Sequence, residues 1–553
     1  MAGLSCLWKR RTENKGISER LKTENKIVLV ILLILFAFQY LTICYFNLFE
    51  EAGHMGLDSS WVYLRSAMMW NQKDLMSSNW IETSNNFLDT SCLPATLLYG
   101  ITGDVFLSFG IANILILTGI IACIYSIFRL LELKRTGCLV TVNLILCPYL
   151  MNGLYRANDL SYFGNMLGGA AYYSLRILTI LLIIREFIRL RKNHRIGFLG
   201  IVVFPLCFLA GASSGIYLFL MVLLPYLAFE IESSFIHNTL KNLISKEAIY
   251  CYLCTAFIVL GKWAAVHVLH FVSIDSTRTW TPISMIWNNF GAVIQGFLKL
   301  TASLPEISTT EQIISIPGLF RVFPLFISFI MIVSIVAAFR EVKKDWFEKH
   351  GFLLLAINII VINFVMFGLF NVVYGSLIFE ERYLISTFVI IAMITGTFIH
   401  GLPDKKIISF VLSLALCFSM AGVDVISDKE YLQNSNDLEL MQAIKEIADD
   451  EGAGIVYCWA GDTDTLIMSK NMRVYDMNHI YKAIEPNDMV FYHWGGDYSF
   501  MDRNEDYSGP TLLIYKKQDE SYYGNYDSVY EQLCTINGMV IAKCDYNGIN
   551  LDW

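Results

Sequence analysis

Apolar runs about 20 residues long recur through the first 425 positions, parted by short polar stretches. A bilayer core about 30 Å thick takes about 20 helical residues to cross. Eleven segments qualify: 27–48, 104–131, 137–153, 164–185, 196–212, 214–230, 248–271, 318–339, 351–373, 384–400 and 407–425. The fifth and sixth need a hairpin at Gly211–Gly215 (GASSG), and the stretch 93–103 is too short to span and reads as re-entrant or interfacial. Beyond 425 the period changes. Leu438, Met441, Ile444 and Ile447 repeat at helical spacing, and GIVYCWAGD, RVYDM, DMVFYHW, TLLIYKK and GMVIAKC follow as short β-rich runs, the signature of a small α/β domain. The pattern therefore predicts a polytopic α-helical membrane protein of about 11 transmembrane helices with a C-terminal extracytoplasmic α/β domain. Its divisions are a basic N-terminus (1–26), a membrane domain (27–425) and the tail domain (426–553).

Charge fixes the expected orientation. Lys and Arg concentrate at the N-terminus and in the loops at 129–135, 185–195, 340–349 and 405–406. The loops at 49–103, 154–163, 272–317 and 374–383 are almost free of them, 6 residues against 23 on the opposite side. By the positive-inside rule the N-terminus is cytoplasmic, and an odd number of spans puts the tail outside. No small-x-small site follows the first apolar run, so an uncleaved anchor is expected. Residues 426–553 carry a net −14 and the rest +6. Across the 553 residues only 16% are charged, 55% are hydrophobic and mean hydropathy is +0.50. Such a chain lacks the polar surface of a cytosolic enzyme and the basic face of a nucleic-acid binder.

Most of the 13 cysteines lie in or near spans, where they pack as small apolar residues. Cys251 and Cys254 have no nearby His or acid to complete a metal site. Cys534 and Cys544 flank an Asn537-Gly538 turn, which suits a hairpin carrying either a disulfide or two free thiols. Asp462 and Asp464 follow the first tail strand, where α/β sheets often place ligands, although Asp-x-Asp is also ordinary loop chemistry.

The outer loops hold the candidate chemistry. The first, containing EEAGHMGLDSSWVYLRSAMMW, has His54 and Trp61 either side of Asp58. Trp61, Leu64, Met68 and Met69 share one helical face, which predicts a helix lying flat in the interface with Asp58 at its start. An acid held there serves as general base for a hydroxyl acceptor, as helix N-cap, or as both. The second loop carries Arg156 and Asp159, the third Arg278 and Trp280 before an amphipathic stretch to Lys299, and the fourth Glu380, Glu381, Arg382 and Tyr383. A guanidinium at that last position either forks onto a phosphate or pairs with its glutamate neighbours. Arg176, about twelve residues into the fourth span, and Lys262, at similar depth in the seventh, are intramembrane cations and hence functional candidates. For Arg176 the structural alternative is a buried pair with an acid such as Glu186.

The many spans, the acidic GLDSSW motif of the first outer loop, the EERY motif of a late one and the outer α/β tail together resemble the GT-C class of membrane glycosyltransferases, mannosyltransferase-like enzymes that use polyprenyl-phosphate sugars. The resemblance implies that Asp58 is the catalytic base or a metal-organising acid, that Arg382 contacts the donor phosphate, and that transfer inverts the anomeric centre. It implies as partners a polyprenyl-phosphate-sugar donor, the lipid bilayer and a glycan, lipid or protein acceptor, with no nucleic acid. The only cofactor in view is a divalent metal, Mg or Mn. A cell-surface polysaccharide polymerase, a lipid-linked oligosaccharide transporter or flippase, and a non-catalytic envelope scaffold are the competing readings. The folded acidic tail counts against the first, and the lack of a detectable internal repeat against the second.

Overall fold

The computed structural model describes residues 25–51, 57–75, 80–81, 86–149, 162–270, 280–304, 314–315, 318, 322–342, 351–370, 372–373, 376–377, 380–402, 407–433, 436–458, 473–476, 496–497, 507–516, 529–536 and 538–547. The membrane domain is built from α1 (Lys26–Tyr45), α2 (Leu57–Gln72), α3 (Cys92–Thr102), α4 (Val105–Leu130), α5 (Arg135–Leu146), α6 (Ser174–Asn193), α7 (Phe198–Ser213), α8 (Leu224–Ile236), α9 (Lys246–His267), α10 (Ile286–Leu300), α11 (Val322–Val342), α12 (Gly351–Phe370), α13 (Ile385–Gly401) and α14 (Ile407–Gln433). Polar caps mark where several begin: Asn25 accepts from the Ile27 amide, Asp104 from Leu107 and Ser245 from Ala248. Along α1, Val28, Leu32, Leu35 and Ile43 are buried while Ile27, Ile34 and Leu41 face outward. A helix that keeps apolar residues on both sides is dressed for protein on one face and lipid on the other.

Among the described residues eight helices are long and apolar enough to cross a membrane: Lys26–Glu50, Val105–Leu130, Phe219–Ile236, Lys246–His267, Val322–Val342, Gly351–Phe370, Glu381–Gly401 and Ile407–Asp428. This is a multi-pass membrane protein. The other three predicted spans are also helical, but α5 and α7 are short and α6 carries charge along its length. α3 matches the short segment expected to be re-entrant or interfacial.

Small residues let the helices touch. A Cβ built on Gly261 of α9 would overlap the Phe208 carbonyl of α7, and one on Gly211 would overlap the Ile258 carbonyl of α9. Without a hydrophobic drive between helices in lipid, such close packing is what holds them together. Gly261→Val is expected to push α7 and α9 apart and to lower the unfolding midpoint in detergent by several degrees, an overpacking cost of about 1–3 kcal/mol. Gly291→Ala, at a position with nothing within 4 Å, should leave the midpoint unchanged.

In the tail, α15 (Asn436–Asp450) covers one face of a five-stranded sheet. The strands β4 (Ile455–Cys458), β5 (Arg473–Asp476), β7 (Thr511–Lys516), β8 (Glu531–Ile536) and β9 (Met539–Cys544) are ordered β5-β4-β7-β9-β8. The first three run parallel, and β9 is antiparallel to both its neighbours. Ile444 and Ala448 pack on Val456, Leu512, Ile514 and Ile541. The opposite face is tyrosine-rich, with Tyr457, Tyr515 and Tyr530 buried. The β8–β9 hairpin turns at Gly538 (φ +80°), and Cys534 and Cys544 are free thiols, Cys534 standing opposite Ile541. Asp462 and Asp464 lie outside the described residues.

Tail and membrane domain interlock around the first outer loop. Leu64 of α2 packs against the α15–sheet core. β1 (Trp80–Ile81) pairs antiparallel with β6 (Gly496–Asp497), and the two-residue strands β2 (Val372–Val373) and β3 (Ser376–Leu377) pair antiparallel with each other. The face of α2 expected to rest on lipid is thus divided: Leu64 meets the tail, whereas Met69 is buried in the membrane domain. Both the tail and the membrane domain therefore contact α2.

Candidate functional site

Among the predicted site residues, Arg176, Lys262, Glu381, Arg382 and Tyr383 are described in full, and each lies in or next to a helix of the membrane domain. α1 runs on through a wide turn, Phe46–Glu50, to Glu51, which is 5% exposed. Tyr63 of α2 donates its hydroxyl to Glu51 Oε1 at 2.7 Å, and the Gly169 amide also serves this carboxylate. Burial pushes the Glu51 carboxyl above the usual carboxylate range, and those two donors draw it back down. Tyr63 is itself wedged edge-on against Phe109 of α4, ring centroids 4.3 Å apart. The helix that carries Asp58 is therefore fixed to the end of the first span. α2 begins at Leu57, so Asp58 lies within its first turn, where the helix dipole favours an acid. The side chains of Asp58 and Trp61, and residues His54, Arg156, Asp159 and Arg278 altogether, lie outside the described set.

Arg176 departs from expectation. The fourth apolar run does not form one helix: it passes through a wide turn, Phe163–Leu167, and an irregular stretch with Gly169 at φ +62° and Ala171 at +41°. α6 starts only at Ser174, which puts Arg176 in its first turn rather than about 18 Å deep. Its partner is not Glu186 but Asp89, from the first outer loop. Arg176 Nε donates to Asp89 Oδ2 at 2.9 Å and Nη2 to Oδ1 at 3.0 Å, with both side chains buried. Ser214, in the α7–α8 hairpin, donates a third hydrogen bond to Asp89. Ser91–Ser174, Phe87–Tyr172 and Asn86–Ala212 contacts complete the clamp between the first loop, α6 and that hairpin. Glu186 is buried near the opposite end of α6, accepting from the Gly197 amide and pairing with Arg185.

Around this clamp the flagged cations converge. The Arg176 guanidinium lies 5.3 Å from the Tyr173 ring and 5.6 Å from that of Tyr217. Tyr173 also feels the charge of Arg382 and is neighboured by Tyr383. Arg382 and Glu381 sit in a tight turn, Glu381–Leu384, leading into α13, where Arg382 pairs with Glu380 and Tyr383 stacks on Phe367. The Tyr217 hydroxyl ties this region to α13 through Ser386 at 2.9 Å. Lys262, near the C-terminal end of α9, holds its Nζ beside Gly215 of the same hairpin and is exposed. Arg176, Lys262 and Arg382, scattered over more than 200 positions of sequence, thus share one neighbourhood.

One side of that neighbourhood is apolar. α10 packs against the Glu381–Leu384 turn. Asn289 anchors it by donating to Thr281 and to the Phe367 and Gly368 carbonyls. Trp280, Ile283 and Trp287 project outward from this segment. This is the amphipathic stretch expected before Lys299. Among the described residues no three His, Cys, Asp or Glu side chains gather to hold a metal.

No family model and no curated protein matches the chain. Solved structures do. The crystal structure of ArnT from Cupriavidus metallidurans bound to undecaprenyl phosphate superposes with a TM-score of 0.50 at 11% identity, over 92% of this chain and 97% of that one. The apo form of the same protein scores 0.49 at the same identity and coverage. The chain shares the fold of that protein. The residues around the site that the sequence does not reveal are Asp89, Ser214, Tyr173, Tyr217, Glu51 and Tyr63. For Asp89 one signal existed: a buried arginine demands an acid, and Asp89 directly follows the apolar pair Phe87-Leu88.

Proposed function

We propose that this protein is an outer-face membrane glycosyltransferase that moves a sugar from a polyprenyl-phosphate donor to an envelope acceptor. The observation that carries the reading is the gathering of Arg176, Lys262 and Arg382 beside an apolar shelf. A prenyl tail stays in lipid while its phosphate waits at the interface, so an enzyme for it needs cations and apolar surface side by side. Here Trp280, Ile283 and Trp287 would meet the tail, and Arg382 and Lys262 the phosphate. Arg176 is committed to Asp89, so its part is to brace the site and add field. The acceptor hydroxyl oxygen attacks the anomeric carbon, the bond from that carbon to the phosphate oxygen breaks, and Asp58 takes the hydroxyl proton. If an Mg or Mn ion is bound, Asp58 would help to hold it, and the ion would supply a Lewis acid to the acceptor hydroxyl. One displacement inverts the centre, and the cations stabilise the polyprenyl phosphate that leaves. The N-terminus is then cytoplasmic and the tail extracytoplasmic.

The test is transfer by the reconstituted full-length protein from a labelled polyprenyl-phosphate sugar, alongside mass analysis of envelope polymers with and without the gene. Loss of one sugar unit supports the reading. Unchanged linkages, with a lipid-linked substrate trapped on the inner leaflet, point instead to a transporter. Within this scheme Arg382→Ala should raise the apparent KM for donor about 10-fold or more, the loss of one charge-assisted contact. An unchanged KM would leave Arg382 as an anchor to Glu380.

A further inference from the structure

Away from the clamp, the outer halves of α1 and α14 meet around a second polar cluster. Gln39 of α1, 2% exposed, donates Nε2 to Asp424 Oδ1 at 3.0 Å. Its Oε1 is buried without a partner, as are Asp424 Oδ2 and Asp428 Oδ1. Asp424 is itself 2% exposed. Asp424 and Asp428 are one helical turn apart on α14, a spacing of about 5–6 Å between Cβ atoms at which two carboxylates reach a common point. Among the described residues no lysine or arginine pairs with either acid; their neighbours include Gln39, the Cys147 thiol, the Tyr149 ring, whose hydroxyl is taken by the Leu144 carbonyl, and each other. Ser427, between them in sequence, is occupied by the Pro148 carbonyl. Two carboxylates and an amide oxygen, each with a lone pair directed at nothing, are an incomplete arrangement in an apolar setting, because buried polar atoms are otherwise matched.

We propose that Asp424, Asp428 and Gln39 form a site for a hard divalent cation, with calcium the better fit. The donors are all oxygen, which selects against zinc and other soft metals. Two carboxylates supply the neutralising charge, and the amide supplies a neutral ligand. Calcium accepts such mixed, irregular oxygen sets and completes its shell with water, which can enter past the partly exposed Asp428. Magnesium, which demands near-ideal octahedral geometry, should bind less tightly. The ion would pin the outer end of the first span to the last one, from which the tail domain is suspended. The inference does not depend on the transfer reaction.

The experiment uses the full-length protein in detergent, stripped with chelator and returned to calcium or magnesium at constant ionic strength. Calcium is expected to raise the unfolding midpoint by about 5 °C at saturation, and magnesium by less. The calcium response should vanish in Asp424→Asn and in Asp428→Asn and persist in Asp545→Asn, which removes an exposed carboxylate elsewhere. Should the aspartate variants fail to fold, Gln39→Met, which keeps both charges and the side-chain length, should shift the calcium midpoint to concentrations about 10-fold higher. No calcium response in the wild-type protein overturns the site. So does a response that survives all three replacements, or an Asp424→Asn protein that is more stable than wild type with and without calcium, which would identify the pair as protonated.

Discussion

Asp58→Asn is expected to reduce sugar transfer by about 10²–10⁴-fold, the range over which a positioned general base acts, while leaving the protein's yield and unfolding midpoint almost unchanged. The two outcomes should separate because α2 is held by other residues. α2 is held by Tyr63 on Glu51 and Phe109, by Ser66 on Thr96 and by Leu64 against the tail. Asparagine keeps the shape and polarity of the first turn, so the structural loss is that of a dipole interaction worth about 0.3–1 kcal/mol. The transfer loss corresponds to about 3–5 kcal/mol at the transition state. Initial rates with a labelled donor, measured beside thermal unfolding of the same preparation, check both. Full activity in the variant would remove Asp58 from the reaction and move attention to Glu51, the buried acid nearest it in sequence among the described residues.

The spans were legible because lipid leaves a plain mark: runs of Ile, Leu, Val and Phe with cations gathered at one end. The tail was legible through its change of period, although β8 showed only as one arm of the hairpin expected at Asn537-Gly538, because EQLCTI alternates too weakly to show a face. The start of α6 was not legible. Residues 164–173 read as apolar, yet Gly168 and Gly169 let the chain turn there, and only the backbone reveals it. That single misplacement sank Arg176 into the bilayer and suggested the wrong partner. The clamp itself joins residues 87 positions apart, a separation over which one sequence contains no pairing information. Tyr173 and Tyr217 were invisible for a different reason. In an aromatic-rich chain a tyrosine that lies over a guanidinium looks like any other core ring.

The clamp also carries the second large expected effect. Arg176→Ala should destabilise the protein by about 3–5 kcal/mol, because removing one member leaves the Asp89 carboxylate buried with, among the described residues, Ser214 as its remaining hydrogen-bond partner. Asp89→Ala should cost about as much, for the mirror reason. The double replacement Asp89→Leu with Arg176→Met removes both charges and keeps most of the volume. Buried pairs exchanged for apolar residues of similar size are often neutral in stability, so the double variant should unfold close to the wild-type midpoint. Thermal unfolding of the four proteins in detergent closes this cycle. The same four proteins, assayed for transfer, then distinguish bracing from substrate contact. If Arg176 acts only by holding the first loop against α6 and the α7–α8 hairpin, activity returns with the fold in the double variant. If its field or its remaining N–H groups act on the donor phosphate beside Arg382, the double variant folds and its KM for donor stays raised. A double variant as unstable as either single one would show that the pair contributes through geometry that Leu and Met cannot reproduce, chiefly the three-way junction that Asp89 makes with Arg176 and Ser214.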